Sequence, residues 1–218
     1  MRTLCTLSTF LFIITSNLVS AQDNMLIEQL AGKTIIRENF DKGSQLIGKQ
    51  IFRISNIEKS STSYSVEITT ELYRKDGTLD EKYKTYYTCK PDKSSMIVMV
   101  FPLFAPKSKK IEIETQSSDY KDLYDLNDLK DIHLRLSFDS GILNFFGSKN
   151  NIKIYNRKLA TGSNTKTLNS QIEIKAYLLG INVKTISYKV KEIFDENKNL
   201  TRQEFKATDG SYFTTSYK

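Results

Sequence analysis

Histidine occurs once in this 218-residue chain, proline three times, cysteine twice and glycine nine times. Each shortage excludes something. Without a second histidine or a thiolate pair, a zinc site of ordinary ligand make-up is ruled out. A Ser-His-Asp triad would have to be built around His133, with Asp131 and Ser137 as neighbours, yet His133 sits in "IHLRLSF" among alternating apolar residues, the setting of a strand histidine. Glycine-rich phosphate loops and dinucleotide fingerprints are missing too, and "GSKN" and "GSNT" read as ordinary turns. No catalytic residue, cofactor or metal ligand is therefore assigned, and the chain reads as non-enzymatic.

Long apolar runs are equally scarce. The one candidate lies in "MRTLCTLSTFLFIITSNLVSAQ", where Arg2 precedes an apolar stretch from Leu4 to Ile14 and the small residues Val19, Ser20 and Ala21. That pattern is a secretory signal peptide with cleavage expected after Ala21. The run is shorter than the roughly 20 residues that cross a bilayer, so residues 1–21 are read as the signal and 22–218 as a single β-rich domain. The expected protein is exported, periplasmic or secreted, and not an integral membrane protein. A lipid anchor would need cysteine at the cleavage point, and Cys5 lies far upstream.

Loss of Cys5 leaves Cys89 alone, which excludes an intramolecular disulfide. Cys89, in "TYYTC", is either a small buried hydrophobe on one face of a strand or a thiol available for an intermolecular bond. Removing 21 residues from 218 leaves 197, enough for one domain with a sizeable core. The formal charge becomes +6, from 31 basic and 25 acidic residues. Lysines alternate with acids, and the longest basic group is "KSKK" at Lys107 to Lys110, so no nucleic-acid partner is expected.

What the chain has in abundance is period-two alternation: "QIFRISNI", "YSVEITTELY", "KYKTYYTC", "KIEIET", "IHLRLSF", "NIKIYNR", "QIEIKAYLL", "VKTISYKVKEIF" and "SYFTTSY". Side chains of a strand point alternately to its two faces, so this pattern predicts strands with one buried face. Many strands with frequent turn signals predict an all-β fold, an antiparallel barrel or an open half-barrel or sandwich. A short N-terminal helix is expected in "NMLIEQLAGKTI", before Gly32. Between the strands, "DYKDLYDLNDLKD" repeats Asp119, Asp122, Asp125, Asp128 and Asp131 every third residue; it lacks the glycine turn and closing acid of a calcium loop and reads as a crossover with a wet acidic face.

Three stretches echo one another. Phe40 and Leu46 flank "DKGSQ", Tyr73 and Leu79 flank "RKDGT", and Phe194 and Leu200 flank "DENKN", each with six residues from aromatic to leucine. Asp, Gly and Asn tolerate the backbone of tight reversals, so each echo predicts a hairpin with apolar residues packed across it. Asn199 also begins a formal glycosylation triplet, "NLT", which is read as turn chemistry.

These hairpins, "FDKGSQLIG", "RKDGTLDEKYKTYYTC" and "FDENKNL", together with "YNRKLATGSNT" from Tyr155, resemble exported proteins of the TapB-like family over nearly the whole mature chain. The chain departs from the family's pattern at Ser170, where many members carry a second cysteine, and in its Asp-rich connector. The resemblance implies an all-β, barrel-like envelope protein without established catalytic residues.

Apolar residues also cluster outside the alternation, in "MIVMVFPLFAP", "GILNFFG" and "AYLLGI". Pro102 and Pro106 exclude a central-strand position, because proline cannot complete a ladder. Phe101, Leu103, Phe104, Ile142, Leu143, Phe145, Phe146, Leu178 and Leu179 are accordingly the candidate rim of a barrel mouth, able to hold a lipid or acylated peptide or to touch another envelope protein. Capping the barrel end is the alternative role for the same residues.

Overall fold

The computed structural model describes residues 29–90, 110–115, 126–139, 149–162, 164–178 and 181–218. Among them are twelve strands: β1 (Thr34–Phe40), β2 (Leu46–Ile54), β3 (Glu58–Lys59), β4 (Tyr64–Arg74), β5 (Leu79–Cys89), β6 (Lys110–Thr115), β7 (Ile132–Asp139), β8 (Lys149–Thr161), β9 (Lys166–Leu178), β10 (Ile181–Phe194), β11 (Leu200–Ala207) and β12 (Tyr212–Tyr217). All belong to one sheet, ordered β2-β1-β12-β11-β10-β9-β8-β7-β6-β5-β4-β3. The second edge of β2 pairs with β4, from Gly48 opposite Arg74 to Ile54 opposite Ile68, so the order of neighbours comes back on itself and the sheet is barrel-like. The all-β antiparallel expectation is met. Residues 29 and 30 are helical, ahead of Gly32.

One pair of neighbours breaks the antiparallel rule. Strands β5 and β6 run parallel, with Tyr86 to Cys89 beside Lys110 to Ile113. A parallel neighbour cannot be reached through a tight turn, and Cys89 and Lys110 are correspondingly distant in sequence. The first and last strands are side by side, from Ile35 opposite Tyr217 to Phe40 opposite Tyr212. The Thr34 N–H donates to the Lys218 carbonyl at 3.2 Å and the Lys218 N–H returns to Thr34 at 3.1 Å.

The three echoes share one geometry. Phe40 pairs with Leu46, Tyr73 with Leu79 and Phe194 with Leu200, each next to a register shift in the ladder. Inside each turn one residue has positive φ: Ser44 (63°), Gly77 (84°) and Lys198 (63°). The Ser44 N–H reaches the Asp41 carbonyl at 3.0 Å, that of Gly77 reaches Arg74 at 3.0 Å, and that of Lys198 reaches Asp195 at 3.0 Å. A tight turn followed by a left-handed residue gives a three-residue hairpin with a bulge. The sequence reading missed a fourth of the same kind, in which Lys206 pairs with Tyr212 and Gly210 (φ 90°) donates to the Ala207 carbonyl at 3.2 Å.

An aspartate closes every one of these turns by accepting the backbone N–H just before the returning strand. Asp41 Oδ1 accepts from Gln45 at 2.9 Å, Asp76 Oδ1 from Thr78 at 3.0 Å, Asp195 Oδ1 from Asn199 at 2.7 Å and Asp209 Oδ1 from Ser211 at 2.9 Å. The Asn199 side chain is used in the same way, its Nδ2 donating to Asp195 Oδ2 at 3.0 Å. Asx side chains thus mimic a backbone turn, which explains why aspartate recurs at these positions.

Packing follows the alternation. Val66, Ile68 and Thr70 of β4 are buried beside Tyr87 and Thr85 of β5, while Glu67, Thr69 and Glu71 take the other face. On that outer face Glu67 bonds Lys84 at 2.8 Å, and Glu71 bonds Lys82 at 2.9 Å. Inside, Phe205 and Phe213 stack with centroids 4.4 Å apart, and Tyr188 meets both edge-on at 6.0 and 5.7 Å. Such aromatic pairs add to the burial of their area.

Candidate functional site

A groove of about 630 Å³ opens over β8 to β11, lined by Tyr155, Gln171, Ser187, Tyr188, Lys189, Lys206, Ala207, Thr208 and Gly210. Ladder register explains the convergence. Tyr155 stands opposite Gln171, Gln171 opposite Lys189, and Lys189 opposite Lys206, so one cross-strand row spans four strands. Its members alternate with the buried residues Ile154, Ile172, Val190 and Phe205, which places the row on the outer face. The left-handed turn at Gly210 supplies the groove's upper wall.

Several side chains at this groove are already positioned. Asn156, itself at positive φ (54°) in a β8 bulge, donates Nδ2 to Gln171 Oε1 at 3.4 Å. That leaves the Gln171 amide nitrogen as a donor. Lys153 Nζ lies 5.0 Å from the Tyr155 ring centre. Asp209 is held by Ser211, whose backbone N–H and hydroxyl both bond Oδ1, at 2.9 and 2.7 Å. Those bonds, the hydroxyl first, hold the Asp209 carboxyl below its ordinary pKa.

On the opposite, inner face runs a polar row that the sequence reading did not anticipate. Gln50 faces Arg37, Arg37 faces Thr215, Thr215 faces Gln203, and Gln203 faces Glu192. Glu192 is 1% exposed and accepts from Gln203 Nε2 at 2.7 Å, while the Tyr217 hydroxyl donates to Gln203 Oε1. Arg37 donates Nε to Asn39 Oδ1 at 2.8 Å, and its guanidinium carbon lies 3.7 Å from the Phe213 ring centre. Burial lowers the Arg37 pKa to about 10, against the raising effect of Tyr188 and Tyr83, so it remains a cation at neutral pH. Burial, reinforced by Glu192, pushes the Tyr217 hydroxyl well above the usual phenol value. Buried polar groups are costly unless bonded, and this row satisfies most of its own; Gln50 Oε1 and Thr215 Oγ1 are buried without a hydrogen-bond partner among the described residues.

Of the rim residues expected from sequence, Phe101, Leu103, Phe104, Ile142, Leu143, Phe145, Phe146 and Leu179 lie outside the described residues. The backbone of Leu178 ends β9 opposite Ile181, with its side chain also outside them. Cys89 ends β5, 5% exposed, between Tyr64 of β4 and Ile113 of β6. His133 is exposed on β7, opposite Lys153. In the acidic connector, Asp128 is exposed and bonds Lys130 at 2.6 Å. Leu126 is buried, and Asp119, Asp122 and Asp125 lie outside the described residues.

No family model matches the chain, and no curated protein does. The TapB-like resemblance accordingly rests on the three hairpins and the stretch from Tyr155 alone. Two solved structures are similar. One, from Parabacteroides distasonis and named as a lipoprotein, is 14% identical with a TM-score of 0.49, over 88% of this chain and 96% of its own. Another, from Bacteroides fragilis and named as an exported protein with a YmcC-like fold, is 12% identical with a TM-score of 0.44, over 86% of this chain and 94% of its own. Both scores are too low to speak for fold or function, and the fold described above stands on its own ladders. No helix among the described residues is long and apolar enough to cross a membrane.

Proposed function

We propose that the protein is an exported, non-enzymatic binding protein of the cell envelope that takes a hydrophobic ligand, a lipid or an acylated peptide, against its β-sheet. The observation that carries this reading is the groove over β8 to β11. Its volume, about 630 Å³, falls within the roughly 300–1,000 Å³ typical of small-molecule sites. Tyr155 offers apolar surface for a ligand's body, and Ser187, Gln171 and the lysines offer polar contacts. Export is supported by the N-terminal signal pattern ending at Ala21. The non-enzymatic part of the reading rests on the sequence, where the single histidine, His133, sits among alternating apolar residues.

The test is uptake of a fluorescent fatty-acid probe by the wild type and by Ser187→Trp, which sets an indole in the groove from a half-buried, outward position. Saturable uptake by the wild type, lost in the folded Ser187→Trp protein, is the expected result. Equal uptake by both proteins would move the site elsewhere, and no uptake by either would refute the reading.

A specific observation favours a second reading, an assembly factor that binds another envelope protein. Leu46 (39% exposed), Ile47 (55%) and Leu79 (53%) stand at the tips of two neighbouring hairpins. Replacing all three by Ser would then release a partner from native complexes.

A further inference from the structure

We propose that the ligand of the β8–β11 groove is an anionic amphiphile whose acidic head, a phosphate or carboxylate, docks between Lys189 and Lys206; this names the ligand class of the site proposed above and rests on that reading. The two lysines are direct cross-strand partners on the outer face, and like charges so placed oppose folding. Neither makes an ion pair among the described residues, and two of the three acids around them are held by other groups. Glu173, next along β9 from Gln171, bonds Lys175 at 3.0 Å. Glu204, two residues before Lys206 on the same face of β11, stands opposite Lys191 and bonds neither Lys189 nor Lys206. Asp209, in the adjoining turn, is held by Ser211 at 2.7 and 2.9 Å. Two ammonium groups facing each other in a partly apolar groove therefore lack the anion that would relieve them.

The remaining lining fits the same guest. Gln171 is oriented by Asn156 so that its amide nitrogen is left to donate, beside Lys189. The polar groups of the cross-strand row, two ammonium groups and one amide, can all donate to an oxyanion. Tyr155, at the end of the row, presents an aromatic surface on which an alkyl chain can lie. A nucleic acid would call for a longer stripe of cations to follow its phosphates, whereas here the cations form one pair flanked by aromatic surface. The occupant that matches a single anionic point joined to an apolar body is an amphiphile with an acidic head.

The experiment measures, by calorimetry at low and moderate salt, the binding of dodecyl phosphate, of a nonionic dodecyl glycoside and of inorganic phosphate to the wild type and to Lys189→Gln/Lys206→Gln. The wild type is expected to bind dodecyl phosphate about tenfold or more tightly than the glycoside, the size of a lost charge-assisted contact. The double variant should keep glycoside binding, lose that margin, and melt no lower than the wild type because a repulsion has been removed. An equal affinity for the two amphiphiles, or a margin that survives in the double variant, would overturn the acidic-head assignment while leaving the groove reading intact. Inorganic phosphate binding as tightly as dodecyl phosphate would replace the amphiphile with a free oxyanion. Failure of both amphiphiles to bind would instead refute the groove reading, and the assignment would fall with it.

Discussion

Changing Gly77 to Ala tests the hairpin geometry with little else disturbed. Gly77 sits at φ 84°, and a Cβ built there would meet no atom within 4 Å. Steric clash is thereby removed from the account, and what remains is the cost of holding an L-residue in the left-handed region, about 1–2 kcal/mol. Stiffening of the unfolded chain offsets about 0.4–1 kcal/mol of that. The net loss is about 1 kcal/mol, which for a chain of this size lowers Tm by about 2–4 °C. Lys198 supplies the mirror experiment, because it already bears this strain at φ 63° in the equivalent turn. Lys198→Gly removes the strain but loosens the unfolded chain, for a net gain of about 1 kcal/mol. Urea titrations of the two variants and the wild type, read as midpoint shifts at constant m-value, measure both effects. A neutral Gly77→Ala, or a Lys198→Gly that destabilises, would refute the claim that these turns share one left-handed residue.

Two other outcomes follow from the packing and the turns. Phe205→Ala should cost about 3–5 kcal/mol, because it empties a fully buried site and unstacks Phe213, and the same urea titration measures the loss. The turn aspartates Asp76, Asp195 and Asp209 have lowered pKa values, chiefly through side-chain bonds from Thr78, Asn199 and Ser211. A lowered folded-state value means that the unfolded chain binds protons first. Their stabilisation is thus complete above the unfolded carboxylate value of about 4 and is lost as pH falls through the lowered folded values. Urea midpoints at neutral and acidic pH should show this fall, and Asp76→Asn should show a smaller one.

Most of the ladder was legible because alternation is written into each strand separately. "YSVEITTELY" and "KYKTYYTC" announce β4 and β5 residue by residue, and the six-residue spacing from Phe40, Tyr73 and Phe194 to a leucine announces three hairpins. Two strands that escaped notice, β1 and β11, share a physical cause. In β1 the inward positions after Ile35 are Arg37 and Asn39, and in β11 an inward position is the fully buried Gln203, so the apolar pattern is broken where the polar row crosses. The fourth hairpin was hidden in the same way, because Lys206 occupies the place that an aromatic holds in the other three. The groove gave no local signal at all. Tyr155, Gln171, Lys189 and Lys206 lie on four different strands, and each looks like an ordinary solvated position in its own segment.

Local chemistry, carried by neighbours in the chain, settled by itself that this protein is made of strands joined by aspartate-closed turns. Which strands meet was decided only when the chain closed on itself. The pairing of β1 with β12 brings Arg37 beside Thr215, the return of β2 to β4 rounds the sheet, and β5 lies parallel to β6 without a turn to foretell it. Pairing between distant segments depends on the combined burial of a whole face, a quantity that no single segment contains. That is why the opposed lysines and the polar interior row emerge from the fold and not from the text of the sequence.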